Sequence, residues 1–197
     1  MSFLRVTVDK VEVATVDTSG RDVVAIHVGG TKVDDDYADL GVTGGIYDHE
    51  GKTDHRIWIE QMPLKLGQVV GVAFVERGIQ TGEGRTLDEL YPGKSEARTA
   101  SPVDRAELAA ELRQVAPVRA GFEVRLVLPD GSAATLSTKS NEHGFGFSVL
   151  WNSFHPDRVS VSLHSYTLES IATEAPGRST AQEKVPLGGE VRLELIA

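Results

Sequence analysis

Carboxylates concentrate in one stretch of the sequence, between Val33 and His55. Seven Asp and Glu residues there face a single Lys52, which gives a local net charge of −6 in a chain whose net charge is −9. Four of them stand close together at the start of the stretch, at Asp34, Asp35, Asp36 and Asp39. Carboxylate oxygens are the ligands that Ca²⁺ and Mg²⁺ prefer, although the spacing is not that of an EF-hand.

Two Asp-His pairs follow in the same stretch, Asp48-His49 and Asp54-His55. Imidazole and carboxylate groups together are the usual ligands of zinc and other transition metals. The candidate metal ligands are therefore Asp34, Asp36, His49, Asp54 and His55, with Ca²⁺ or Zn²⁺ as the ion. The alternative is a solvated loop that is kept soluble by its charge and carries its histidines on the surface.

Trp58 stands between Arg56 and Glu60, on the polar side of an alternating pattern and just after the acidic stretch. An exposed tryptophan is a typical anchor of a protein interface. The alternative is that a helix or a second sheet covers the ring. We predict a binding surface, directed at a basic protein partner, that consists of Asp34, Asp35, Asp36, Asp39 and Trp58. We expect no nucleic-acid partner, because phosphates are bound chiefly by Lys and Arg.

Known catalytic signatures are missing from the sequence. There is no cysteine, which rules out thiol chemistry and Cys-type zinc sites. The stretch from Gly45 to Thr53 imitates a phosphate-binding loop but has one residue too many between its glycines. Glu142-His143 and His155 mark the two ends of an apolar strand pattern, too far apart to act on one substrate.

Alternation of apolar and polar residues predicts half-buried strands along most of the chain. The apolar parity of Leu4 to Val8 changes after Asp9-Lys10, which predicts a bulge or a tight bend at that point. The acidic stretch is predicted as a long loop that is functional, mobile or conceals a short strand near 42–47. Residues 172–184 are predicted as an exposed loop, and Ser101 as the N-cap of a helix.

These patterns predict an all-β, mainly antiparallel fold. We expect a β-sandwich or flattened barrel of about eight to ten strands, with one packed α-helix near 102–115. Residues 1–197 are expected to form one domain. An alternative is a pseudo-repeat of 1–76 and 120–197 joined by 77–119, because Pro63-Leu64 and Pro186-Leu187 both precede a Gly-containing turn and a strand.

Charge and fold together favour a non-enzymatic binding protein, comparable to an inhibitor or immunity protein that neutralises a basic partner. Two alternatives stay open: a metal-dependent enzyme or sugar-binding module that uses the Asp and His residues, and a structural subunit of a larger assembly. The chain lacks an apolar run of membrane-spanning length, and Met1 to Arg5 lacks the layout of a signal peptide. We therefore expect no membrane partner and a cytoplasmic location.

Overall fold

The computed structural model describes residues 2–47, 53–93 and 104–196. Its strands pair antiparallel and form two six-stranded sheets packed against each other. The first sheet contains β1 (Phe3–Val8), β2 (Val11–Asp17), β6 (Val69–Val75), β7 (Glu123–Val127), β8 (Ala133–Ser137) and β12 (Glu190–Leu195), in the order β2-β1-β6-β12-β7-β8. The second contains β3 (Val23–Thr31), β4 (Ala38–Tyr47), β5 (Thr53–Leu64), β9 (Gly144–Asn152), β10 (Arg158–Tyr166) and β11 (Arg178–Pro186), in the order β11-β10-β9-β3-β4-β5.

The predicted all-β sandwich is confirmed, with twelve strands in the described residues instead of eight to ten. Its core lies between the two sheets and is built by alternation along each strand. Leu4, Val6 and Val8 of β1 are buried, while Arg5 points outwards. Successive side chains on a strand point to opposite faces, so one set of alternate residues removes its apolar surface from water and supplies most of the stabilisation.

The predicted bend at Asp9-Lys10 is the tight turn between β1 and β2. Both residues have positive φ angles, 51° and 68°, which suit the right-handed twist of a two-residue hairpin. The Asp9 carboxylate accepts hydrogen bonds from the Val69 N–H and from Gln68 Nε2, each at 2.9 Å. These bonds hold the turn against the neighbouring strand β6.

Two segments predicted as loops contain strands. The acidic stretch conceals a strand, which is the third of its predicted alternatives: β4 includes 42–47 but begins earlier, at Ala38, and β5 begins at Thr53, so the stretch is not one long loop. Residues 48–52 lie outside the described residues. Glycines hide the alternation of β4: a Cβ on Gly45 would lie 2.4 Å from the Asp54 carbonyl oxygen. The predicted loop at 172–184 is wrong, since it contains most of β11, an edge strand whose side chains are mainly exposed.

The described residues also contain three short helices: α1 (Leu87–Leu90), α2 (Arg105–Leu112) and α3 (Leu168–Thr173). The helix predicted near 102–115 corresponds to α2, whose N-cap is Asp104; the expected N-cap, Ser101, lies outside the described residues. Helices α2 and α3 pack together, with Arg113 Nη2 3.6 Å from the Glu169 carboxylate. None of the described helices has the length and apolar character needed to cross a membrane.

Each half of the chain supplies three strands to each sheet. Strands β1 to β6 belong to the first half and β7 to β12 to the second. Both sheet orders stay the same when every strand is exchanged with the strand six positions away in chain order. The halves meet where β6 pairs with β12 and where β3 pairs with β9. Duplication as the origin of this arrangement stays a prediction.

Candidate functional site

Three predicted binding residues, Asp34, Asp35 and Asp36, lie in the connection between β3 and β4. We call these three residues the acidic turn. All three are exposed, and their carboxylates make no hydrogen bond or ion pair with any other described residue. Because no described cation is bonded to these carboxylates, they are free to bind a positively charged group from outside.

The backbone of the acidic turn is held by Arg119, which precedes β7. Its guanidinium donates hydrogen bonds to the carbonyl oxygens of Asp36, Asp35 and Thr31 at 2.7, 3.0 and 3.2 Å. It also lies over the Tyr37 ring, 5.6 Å from the ring centroid. Charged donors form the stronger hydrogen bonds in proteins. Arg119 therefore fixes the turn through backbone oxygens and leaves the carboxylates unpaired.

Asp39 and Trp58 lie outside the acidic turn and already have partners. The Asp39 carboxylate, on β4, accepts a hydrogen bond from Gln61 Nε2 at 2.9 Å. Trp58, on β5, is half-buried: its Nε1 donates to the Gly82 carbonyl oxygen at 3.2 Å, and the Arg21 guanidinium lies 4.6 Å above the ring. The segment around Gly82 covers part of the indole, in place of the helix or second sheet that the alternative expected, and a role for Trp58 in binding stays a prediction.

The predicted metal ligands are divided between the two ends of β4. Asp34 and Asp36 precede this strand, whereas Asp54 and His55 pair with its last residues. At ~3.3 Å per residue, the strand separates the two sets by more than about 25 Å. The prediction that one metal site contains residues of both sets is therefore wrong. The fifth candidate ligand, His49, lies outside the described residues. Within 2–47, 53–93 and 104–196, no three His, Cys, Asp or Glu residues are grouped so that they could hold a metal ion.

A cavity of about 480 Å³ opens at the same end of the sandwich as the acidic turn. We call it the end cavity. Its apolar lining consists of Val33, Leu112, Val115, Pro117 and Leu168. Its polar lining includes Lys32, Asn141, Glu142, His143 and Thr167. Its volume falls within the roughly 300–1,000 Å³ that is typical of small-ligand sites, although more of its described lining residues are polar than apolar.

Lys32, at the end of β3, is nearly buried, with 7% of its surface exposed. Its Nζ donates to the carbonyl oxygens of Lys139 and Ser140, both at 3.3 Å. Among the described residues, no carboxylate lies within 4.0 Å of this ammonium group. Burying a charge is costly unless an opposite charge compensates it. At Lys32 the described partners of the ammonium group are two carbonyl dipoles and no opposite charge.

Glu142 is a buried carboxylate whose charge is fully compensated. It accepts hydrogen bonds from Arg178 Nε at 2.7 Å, from Arg178 Nη2 at 2.8 Å and from the Lys139 N–H at 2.7 Å. The Arg178 guanidinium lowers the pKa of Glu142 to about 2, against the opposing effect of burial. Glu142 therefore holds the β8–β9 connection in place and offers no free charge to a ligand.

His143 and Tyr166 have ring centroids 6.4 Å apart, and we call Lys32, Glu142, His143 and Tyr166 the polar cluster. Burial lowers the pKa of His143, the Lys32 charge lowers it further, and the Asp34 charge acts in the opposite direction. Its Nε2 is buried and has no hydrogen-bond partner among the described residues. Burial, aided by Asp34, raises the pKa of Tyr166 to about 12. Both side chains are consequently uncharged at neutral pH.

Sequence reasoning overlooked the three cations that organise this end, Lys32, Arg119 and Arg178. Each bonds to oxygen atoms of residues distant in the chain, up to 108 positions away for Lys32, so no local pattern indicates their role. One signal was available at Lys32, a lone lysine that directly follows an apolar strand and precedes a run of aspartates. Glu142-His143 was recognised only as a pair at a strand end.

This end of the molecule thus offers two chemical features: unpaired carboxylates on a fixed turn, and a cavity whose polar lining includes a nearly buried ammonium group. The first suits cations, and the second suits a ligand that enters the cavity. Comparison of the chain with family models, curated proteins and solved structures finds no match in any of the three.

Proposed function

We propose that this protein is a non-enzymatic binding protein that engages a basic protein partner through the acidic turn. The observation that carries the proposal is the use of Arg119. Its guanidinium bonds to backbone oxygens of the turn and not to the carboxylates, so Asp34, Asp35 and Asp36 stay exposed and unpaired. An inhibitor or immunity protein that neutralises a basic surface would work in this way.

Rigidity of the turn supports tight and selective association. A flexible loop loses conformational entropy when it binds, which cancels part of the interaction energy. Arg119 has already ordered the backbone at Asp35 and Asp36, so that cost is reduced. Complementary charge also accelerates the encounter with a basic partner and disfavours acidic ones, and added salt weakens both effects.

The alternative of a metal-dependent enzyme or sugar-binding module on the Asp and His residues has less support. Asp34 and Asp36 lie at one end of β4, and Asp54 and His55 at the other. Asp54 is also engaged, with its carboxylate 2.6 Å from Arg56 Nε. Asp39 and Trp58 likewise have other partners, which restricts the proposed surface to the acidic turn.

The test compares two triple variants of equal net charge. The turn variant carries Asp34→Asn, Asp35→Asn and Asp36→Asn, and the control variant carries Glu12→Gln, Glu183→Gln and Glu190→Gln at exposed positions elsewhere. Each removes three carboxylates from a chain of net charge −9. Fluorescence anisotropy with labelled hexalysine, at increasing NaCl, measures the affinity for a basic probe.

We expect the turn variant to lose about tenfold in hexalysine affinity at low salt, which corresponds to about 1.4 kcal/mol. The control variant should lose less than about twofold, because its missing charges lie away from the turn. Equal losses in the two variants would show that net charge alone attracts the probe. That result would contradict the proposal.

A further inference from the structure

The end cavity contains a positive charge that forms no ion pair with any described carboxylate. Four charged residues line it: Lys32, Arg113, Glu142 and Glu169. Glu142 is bonded to Arg178 at 2.7 Å, and Glu169 lies 3.6 Å from Arg113. These two pairs cancel, so the Lys32 ammonium is the remaining charge within the described lining. An anion placed beside it would replace carbonyl dipoles with a full opposite charge.

The rest of the lining indicates what the anion is attached to. Leu112 and Val115, on and just after α2, face the cavity together with Leu168 at the start of α3. Such side chains favour an apolar body, and burying each of its CH₂ groups contributes about 0.8 kcal/mol. Asn141 and Thr167 add polar groups that can orient a carboxylate.

We propose that the end cavity binds a small organic anion, a carboxylate joined to a short apolar body, with the Lys32 ammonium as its counter-ion. The anion accepts a hydrogen bond from Lys32 Nζ, whose other donors already reach the carbonyl oxygens of Lys139 and Ser140. The apolar body lies against Leu112 and Leu168. This inference does not depend on the acidic turn as a partner surface.

His143 provides a spectroscopic report on the cavity. Burial and the Lys32 charge both lower its pKa, and the negative charge of a carboxylate bound to Lys32 opposes the Lys32 charge. Ligand binding should therefore raise the His143 pKa. The charged or titratable groups around this imidazole come from every neighbouring element, and they are Lys32, Asp34, Arg113, Glu142, Tyr166, Glu169 and Arg178.

The first experiment uses the wild-type protein and three probes with similar unbranched chains, of five carbons beside the head group in hexanoate and hexanamide and of six in hexylamine. Their charged groups are anionic, neutral and cationic at neutral pH. Chemical-shift changes in NMR spectra give the three affinities, and the His143 ring protons give its pKa with and without the probe. We expect hexanoate to bind about tenfold more tightly than hexanamide, hexylamine to bind most weakly, and only hexanoate to raise the pKa.

The second experiment removes the proposed counter-ion. Lys32→Met should reduce hexanoate affinity about tenfold and leave hexanamide binding unchanged. Lys139→Met is the matched control, since Lys139 is an exposed lysine beside the polar cluster and does not line the cavity. Asp34→Asn should tighten hexanoate binding while it weakens hexalysine binding, so the two proposals predict opposite changes and can fail separately.

Three results would overturn the cavity proposal. One is equal affinity for hexanoate and hexanamide in the wild-type protein, which requires no variant and therefore no assumption about folding. Another is an equal loss of hexanoate affinity in Lys32→Met and Lys139→Met. The third is hexanoate binding that leaves the His143 pKa unchanged, because the anion would then lie outside the cavity.

Discussion

The β3–β4 turn and the β9–β10 turn are equivalent when each strand is exchanged with the strand six positions away in chain order. These two turns lie at opposite ends of the sandwich. The first turn carries Asp34 to Asp36, and the second carries Phe154, which is 86% exposed. Each end has a cavity, of about 480 Å³ beside the acidic turn and about 370 Å³ beside Ser153. Equivalent positions in one topology have therefore acquired different surface chemistry.

Two described carboxylates at the second end, those of Asp22 and Asp54, already have partners within the protein. The Asp22 carboxylate accepts a hydrogen bond from the Tyr47 N–H at 2.7 Å, and Asp54 pairs with Arg56. At the acidic turn the cation, Arg119, bonds to carbonyl oxygens and leaves the carboxylates unpaired. The comparison teaches that the number of acidic residues does not locate a charged surface. A charged surface is located by the carboxylates that form no hydrogen bond or ion pair within the protein.

The largest expected difference between the ends concerns their arginines. Arg119→Met should lower the free energy of unfolding by about 3 kcal/mol, because it removes several charged hydrogen bonds to one turn. Arg21→Met, at the second end, removes one such bond, at 2.9 Å to the Asp17 carbonyl oxygen, together with the contact of the guanidinium with the Trp58 ring, and should cost about 1.5 kcal/mol. Urea denaturation measures both values, and equal losses would contradict the assigned role of Arg119.

Glu142 and Asp54 give the next comparison. Glu142→Gln should lower the free energy of unfolding by about 2 kcal/mol at pH 7, allowing for the partial exposure of Arg178. Asp54→Asn should cost at most about 0.5 kcal/mol, since its pair with Arg56 is more exposed. Urea denaturation at neutral pH tests this order, and a larger loss for Asp54→Asn would reverse the comparison.

The Glu142→Gln variant also tests how the free energy of unfolding depends on pH. Folding lowers the pKa of Glu142 from 4.5 to about 2, so its contribution is fully present above pH 4.5 and is lost as the pH falls towards 2. The stability difference between wild type and Glu142→Gln should therefore shrink across this interval. A difference that stays constant from pH 5 to pH 2 would show that the Glu142 charge does not carry the effect.

A smaller effect concerns the coupling between the acidic turn and the polar cluster. The Asp34 charge raises the pKa of His143 against burial and Lys32, so Asp34→Asn should lower that pKa further. Asp54→Asn, at the far end of β4, should leave it unchanged. NMR titration of the His143 ring protons measures both. An identical response to the two variants would mean that the ends are not electrostatically separate.

The smallest expected effect is that of metal ions. Addition of Ca²⁺, Zn²⁺ or EDTA should shift Tm by less than about 1 °C, because the described Asp and His candidates are divided between the two ends. Thermal melting followed by circular dichroism measures the shift. A rise of several degrees with one ion would require a ligand set that includes residues outside the described ranges.

Much of the fold could be predicted from alternation, because each strand with one buried face leaves a period-two pattern such as Leu4, Val6 and Val8. The pattern fails where a strand lacks that asymmetry. Strand β11 lies at a sheet edge and buries Val185 alone, so its sequence resembles a loop. Glycines in β4 allow neighbouring backbone segments to approach closely, as at Gly44, which lies beside the Val23 backbone. The same glycines interrupt the series of apolar residues that would indicate a strand.

The candidate site could be predicted only in part. Asp34, Asp35 and Asp36 are adjacent in sequence, so their common charge is visible without a structure. Whether they are paired depends on Arg119, which reaches the turn from 83 or 84 residues away. The same holds for Lys32, whose burial results from the packing of separate segments. Local patterns indicate charge, whereas tertiary contacts determine its availability.

The central pairings of the two sheets have a consequence for how the halves depend on each other. If the chain were divided between β6 and β7, the first fragment would expose the unpaired edges of β6 and β3, and the second those of β12 and β9. Open edges of this kind recruit any complementary strand, including one from a second identical fragment. The covalent link between the halves raises their local concentration and so makes correct mutual pairing outcompete self-association.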